Sequence, residues 1–171
     1  MIQQLQPVAG DGELYEVVNG ARVTKLRGVY ETVLAGDLFH DVSMYAATNQ
    51  LGRATAQAMF HLPTLGNDRR PPRANAWEVV PELAAEVVSP TDDAENVMEN
   101  VEEYFRAGVR LVWLVLPRQE RVYVYSSPTD VRIFGRGDEL TGEPVVPGFR
   151  LALNDLFPPP DEPDDVQGTA P

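Results

Sequence analysis

The sequence predicts a single mixed α/β domain whose sheet has both parallel and antiparallel neighbours, and three stretches carry that expectation. The first is a strand, helix, strand succession between Glu82 and Leu116. Its length suits a βαβ unit, and the right-handed crossover of such a unit makes the two strands parallel. The second is the pair "RVYVYSS" and "VRIFGR", joined through Pro128-Thr129-Asp130, which reads as an antiparallel hairpin. The third is "LYEVVNGARV", two β-rich runs around Asn19-Gly20, the dipeptide that best tolerates the positive φ of a tight hairpin turn.

Composition bounds what this domain can be. With 171 residues, 43% hydrophobic and 23% charged, the chain suits one domain with a real core. We place that domain at residues 13–157, with a flexible N-terminus at 1–12 and a disordered acidic, Pro-rich tail at 158–171. The tail "PPPDEPDDVQGTAP" has almost no large apolar side chain, so burial cannot offset the entropy of ordering it. No apolar run reaches the length of a membrane span, and "MIQQLQPVAGDGE" lacks the basic and apolar regions of a secretory signal; a cytoplasmic location without membrane contact is expected. The chain has no cysteine, which excludes disulfides, thiolate nucleophiles and cysteine metal clusters, and two histidines, His40 and His61, cannot alone build a zinc site. A bound metal would therefore use oxygen ligands. The formal charge of −12 argues against strong, indiscriminate nucleic-acid binding, where affinity comes mainly from neutralising phosphates.

The remaining elements follow in order. From Val29 to Gln50, Val33, Leu34, Leu38, Val42, Tyr45 and Ala46 recur at three- and four-residue spacing, giving a helix with one buried face that Leu51-Gly52 closes. "RATAQAMFHL", Arg53 to Leu62, alternates and reads as a strand. "PTLGNDRRPPRANAW" is loop, since Pro71-Pro72 cannot donate to a central strand. After the strand in "PELAAEVVSP", Ser89-Pro90-Thr91-Asp92 offers a turn and capping oxygens for a helix over "AENVMENVEEYFRAG", which Gly108 stops. Val97, Val101, Tyr104 and Phe105 form its inward stripe, and Glu99, Glu102 and Glu103 lie mostly on the wet face. "VRLVWLVL" is apolar throughout and reads as the sheet centre, buried on both faces. "VVPGFRLALNDLF" ends the fold as a short apolar segment.

Glu86 is the anomaly in this pattern, a carboxylate among small and β-branched apolar residues of a core strand. An ionised carboxylate buried without a partner costs several kcal/mol, so it is either held by Arg, Tyr or backbone donors at a strand end, or it binds something. Asn100 stands at the border of the crossover helix's inward stripe, three residues after Val97 and four before Tyr104. Arg69, Arg70 and Arg73 could touch phosphates, although a basic run in a loop is more often solvated surface.

The stretch "VVPELAAEVVSPTDDAENVMENVEEYFRAGVRLVWLVLPRQERVYVYSSPTDVRIFGRGDELTGEPVVPGFRLALNDLF" resembles the bacterial Uma family of restriction-endonuclease domains, within the PD-(D/E)XK nuclease superfamily. "YEVVNGARV" and "LGRATAQAMFHL" resemble that family's opening hairpin and first core strand. The resemblance implies a restriction-endonuclease-like core, in which a helix, a strand meander, a crossover helix and further strands place a divalent-metal site at one edge. It also implies Mg²⁺ or Mn²⁺ as cofactor and DNA as partner. The chemistry is consistent with that, since phosphodiester hydrolysis needs hard cations held by nearby carboxylates, and a lysine that orients water or stabilises developing charge.

Of three motif positions, one carries over and two depart from the family. Glu86 in "AEVVSP" matches the family's Glu and is the candidate metal ligand and catalytic residue. The family's lysine, in a pattern resembling "EKVEEYF", falls on Asn100 of "ENVEEYF". The first Asp normally follows "RRP"; here Pro72 stands in that place, its strand is missing, and Asp68 is the nearest substitute metal ligand. The resemblance therefore implies a metal-dependent DNA endonuclease of the PD-(D/E)XK type that is impaired or inactive. The alternative is a non-catalytic binding or assembly module on the same scaffold. Loss of a core strand would leave a sheet edge uncovered, and we expect residues Asn67 to Val79, or a homodimer, to cover it.

Overall fold

The computed structural model describes residues 15–18, 21–24, 28–56 and 79–159, the first two segments by backbone alone. Strands β1 (Tyr15–Val18) and β2 (Ala21–Thr24) pair antiparallel, with Val18 opposite Ala21, as the expected opening hairpin requires; Asn19 and Gly20 lie outside the described residues.

Helix α1 (Val29–Thr48) buries Leu34, Leu38, Val42 and Ala46, the row that three- and four-residue spacing brings onto one face. Val33 departs from expectation: it is 51% exposed, because one residue is about 100° of rotation and carries it off the row that holds Leu34. The helix end also differs. Leu51-Gly52 does not close it; Gln50 takes the left-handed position at φ 56, with its N–H bonded to the Ala47 carbonyl and that of Leu51 to the Ala46 carbonyl. That pair of bonds is a Schellman closure with glutamine in the usual glycine place.

Arg53 to Ala56 form no strand, so the strand expected over Arg53 to Leu62 is not met in its first four residues; the others lie outside the described residues. So does the loop from Pro63 to Trp77, and with it nearly all of the segment expected to cover the sheet edge.

The main sheet runs β3-β4-β5-β6, with β3 (Leu83–Val87), β4 (Leu111–Leu116), β5 (Arg121–Ser127) and β6 (Asp130–Gly135). β3 and β4 are parallel, joined by helix α2 (Ala94–Ala107), while β4, β5 and β6 are antiparallel neighbours. The sheet is thus mixed, as the βαβ unit and the hairpin require. β4 sits inside it, and Leu111, Val112, Trp113, Leu114 and Val115 are all at most 2% exposed.

Alternation along β4 separates two cores. Leu111, Trp113 and Val115 pack with α1, Val87 and Val122, whereas Val112 and Leu114 pack with Val97 and Val101 of α2 and with Tyr125. Of the stripe expected on α2, Val97 and Val101 are buried, and Tyr104 and Phe105 are half-buried at its flank.

The final segment holds more structure than the sequence suggests. A second two-stranded sheet pairs β7 (Glu139–Gly142) with β8 (Val146–Ala152), and a one-turn helix α3 (Leu153–Leu156) follows. β7 is short and polar, with Leu140 its one large apolar residue, so no alternation announces it. Tyr45 ties this unit to α1 by donating to the Pro147 carbonyl at 3.0 Å. No helix among the described residues is long and apolar enough to cross a membrane.

Candidate functional site

The path into the site begins at the turn after β3. The Ser89 N–H donates to Asp92 Oδ2 at 2.7 Å, the Asp92 N–H donates to the Ser89 carbonyl at 3.0 Å, and the Ser89 and Thr91 hydroxyls meet at 3.1 Å. Asp92 therefore shapes the turn, and Asp93 caps the helix: its Oδ1 accepts from the N–H groups of Glu95 and Asn96 at 2.9 and 3.2 Å. The far end of α2 closes at Gly108, φ 104, with bonds to the Phe105 and Tyr104 carbonyls. The chain re-enters the sheet where the N–H groups of Arg110 and Leu111 both donate to the Glu82 carbonyl. The crossover is thereby held at the turn after β3 and at Glu82 just before it, which positions α2 over the strand.

That position decides what Glu86 meets. Glu86 lies opposite Leu114 in the parallel register, on the same side of β3 as Ala84 and Val88, which pack in the α2 core. It is 9% exposed, so the carboxylate is buried as expected from its apolar neighbours. Asn100 comes to it across the interface: Nδ2 donates to Glu86 Oε1 at 3.4 Å, a long contact compared with the usual N–H···O range. The two residues that the motif positions single out, fourteen positions apart in the chain, are therefore brought together. An amide at that place helps to satisfy a buried carboxylate but adds no positive charge.

The other candidates do not join them within the described residues. Asp68, Arg69, Arg70, Arg73 and His61 lie outside those residues, and His40 is exposed on α1. Glu99 and Glu102 are exposed, while Glu103 is half-buried one turn beyond Asn100. Among the described residues, no three acidic, histidine or cysteine side chains converge so as to hold a metal. A hard divalent cation takes about six oxygen ligands, usually with carboxylates among them. Among the described residues, Glu86 with its neutral amide neighbour does not meet that requirement, because one carboxylate and one amide supply too few oxygens and too little charge.

One buried acid escaped the sequence reading. Glu31, 6% exposed, sits in the first turn of α1 on the row of Leu34 and Leu38. Its position three residues before Leu34, at the same helical spacing as the apolar row, is the signal that could have found it. The N-terminal end of the helix dipole favours an acid there. Its side chain folds back over Gly28, where a β-carbon would lie 2.1 Å from Oε2. It packs with α1 on the sheet face opposite to Glu86.

Tyr125 lies on the α2 face near the helix, its hydroxyl 3.7 Å from Met98 Sδ. Burial holds its phenol above the ordinary range, and neighbouring Tyr123 adds to the shift.

No curated protein matches the chain. A solved structure titled a putative nuclease belonging to DUF820, from Anabaena variabilis, is similar in fold: TM-score 0.70 and 16% identity, over 88% of this chain and 93% of that one. The family model Uma2, described as "Putative restriction endonuclease", matches residues 3–154. The family model covers most of the chain and the mixed four-stranded sheet agrees with the similar structure; the chain belongs to the Uma2 family.

Proposed function

We propose that this chain is a PD-(D/E)XK-type nuclease scaffold whose phosphodiester hydrolysis is impaired. The observation that carries the reading is the contact of Asn100 Nδ2 with Glu86 Oε1 at 3.4 Å. A neutral amide occupies the position that the family resemblance gives to a lysine. A lysine there would stabilise charge developing on the phosphoryl oxygens and orient the attacking water. An amide donates a hydrogen bond to Glu86 and does neither strongly. Loss of one positioned charge of this kind costs on the order of a hundredfold or more in rate.

Glu86 is the residue that would contribute to holding Mg²⁺ or Mn²⁺, with Asp68 as the candidate second acid. DNA is the substrate class that goes with the family, bound weakly because the chain is strongly acidic. The test is cleavage of supercoiled plasmid with Mg²⁺ or Mn²⁺ by the native chain, Glu86→Ala and Asn100→Lys. We expect native nicking close to background, and a rise in Asn100→Lys that Glu86→Ala removes in the double variant. Robust native nicking lost in Glu86→Ala would reject impairment.

A second reading, a non-catalytic binding or assembly module on the same scaffold, is favoured by the lack of a three-acid cluster among the described residues. It predicts that Asn100→Lys stays as inactive as the native chain.

A further inference from the structure

Among the described residues, β6 is an outer strand of the four-stranded sheet, and no strand pairs with its free side. It contains no Pro and no Lys, and the one irregularity in its pairing falls between Tyr125 and Ser127 on β5. Its first four residues, Asp130, Val131, Arg132 and Ile133, are all exposed.

The two faces of this strand differ in chemistry. Val131 lies opposite Tyr125 and Ile133 opposite Tyr123, so these four share the α2 side, where Met98 also stands near the Tyr125 hydroxyl. Val131, Ile133 and Met98 are 39%, 52% and 42% exposed, an apolar ledge that α2 does not reach across. On the other side Asp130 and Arg132 alternate, an acid and a base two residues apart. Arg132 makes no ion pair among the described residues, and Asp130 accepts one bond, from the Ser126 hydroxyl. A carboxylate has acceptor sites for a second donor.

The geometry points to a homodimer formed edge to edge through β6, about a two-fold axis at Val131 that sets Asp130 of each copy opposite Arg132 of the other. Charge selects this register over its neighbours. Antiparallel strands place directly opposed side chains on the same face, so allowed registers differ by two residues. A shift of two residues one way opposes Arg132 with Arg132, and the other way opposes Asp130 with Asp130; like charges directly opposed are destabilising. The register at Val131 makes two Asp-Arg pairs on one face. On the other it brings Val131 against Val131, with Ile133 at the diagonal. Isologous contacts of this kind close at two copies. Edge pairing of this kind does not depend on the nuclease reading.

The test is the mass of the full chain in solution, by light scattering or sedimentation over a concentration series, with circular dichroism as the check on folding. We expect a dimer for the native chain, monomers for folded Asp130→Arg and Arg132→Asp, and return of the dimer when both substitutions are combined. Because the chain has no cysteine, Val131→Cys gives one thiol per copy, and oxidation by diamide should link the two copies by a disulfide between the paired thiols. A native chain that stays monomeric would overturn the proposal. So would a dimer indifferent to both single substitutions, or a combined variant that remains monomeric while folded.

Discussion

Gln50 ends α1 in the left-handed region, at φ 56, where an L side chain costs about 1 kcal/mol relative to glycine. Gln50→Gly should therefore raise stability by about 0.5 to 1 kcal/mol, measured by urea unfolding, since the closing bonds are made by the backbone and survive the change. Trp113 presents the opposite case. It is fully buried, stacked on Phe149 with ring centroids 5.7 Å apart, and its Nε1 has no hydrogen-bond partner among the described residues. Trp113→Ala should cost about 3 to 5 kcal/mol, but Trp113→Phe should cost about 1 to 2 kcal/mol less than that, because it keeps a ring and removes an unsatisfied donor. Tyr125 has a phenol held above its ordinary value by burial, so it gives stability at pH below the unfolded value near 10 that is lost as pH rises through the folded value. Comparing alkaline unfolding of the native chain with Tyr125→Phe checks this, and the native chain should show the steeper loss.

At the scale of elements, α2 decides the geometry of the site, and its cap decides where α2 begins. Asp93→Ala removes the acceptor for two backbone N–H groups and should cost about 1 kcal/mol, read by thermal unfolding. The βαβ unit was legible because each signal is local: small and β-branched residues for β3, capping oxygens, an inward row of Val97 and Val101, and Gly108 at the stop. The Glu86–Asn100 pairing was legible for a related reason. The family resemblance put both at motif positions, and the right-handed crossover lays the helix over the strand that carries Glu86. β7 was not legible, since Leu140 buries itself in a core assembled by α1, β8 and α3, and none of that partnership is written within β7's own four residues. Glu31 was overlooked for a different reason. A charge breaks the apolar count of a helical row, although it can continue that row in space.

For the molecule as a whole, two features shape what it can do: the strong negative charge and the incomplete set of ligands around Glu86 among the described residues. The family's fold is present; on the proposed reading Asn100 stands where the resemblance gives a lysine, and scaffold and chemistry would then have separated, as sites grafted on folds can. The resemblance located Glu86 and Asn100, but no local rule could say how closely a helix amide would approach a strand carboxylate; that depends on the packing of α2 against β4 and β5. The central claim, that Glu86 is what remains of a cation-holding cluster, is tested most directly by calorimetric titration of the native chain with Mn²⁺. The account predicts no saturable site tighter than about a millimolar, in the range of weak oxygen-ligand sites. A stoichiometric site well below that concentration, lost in a folded Glu86→Ala chain, would contradict it.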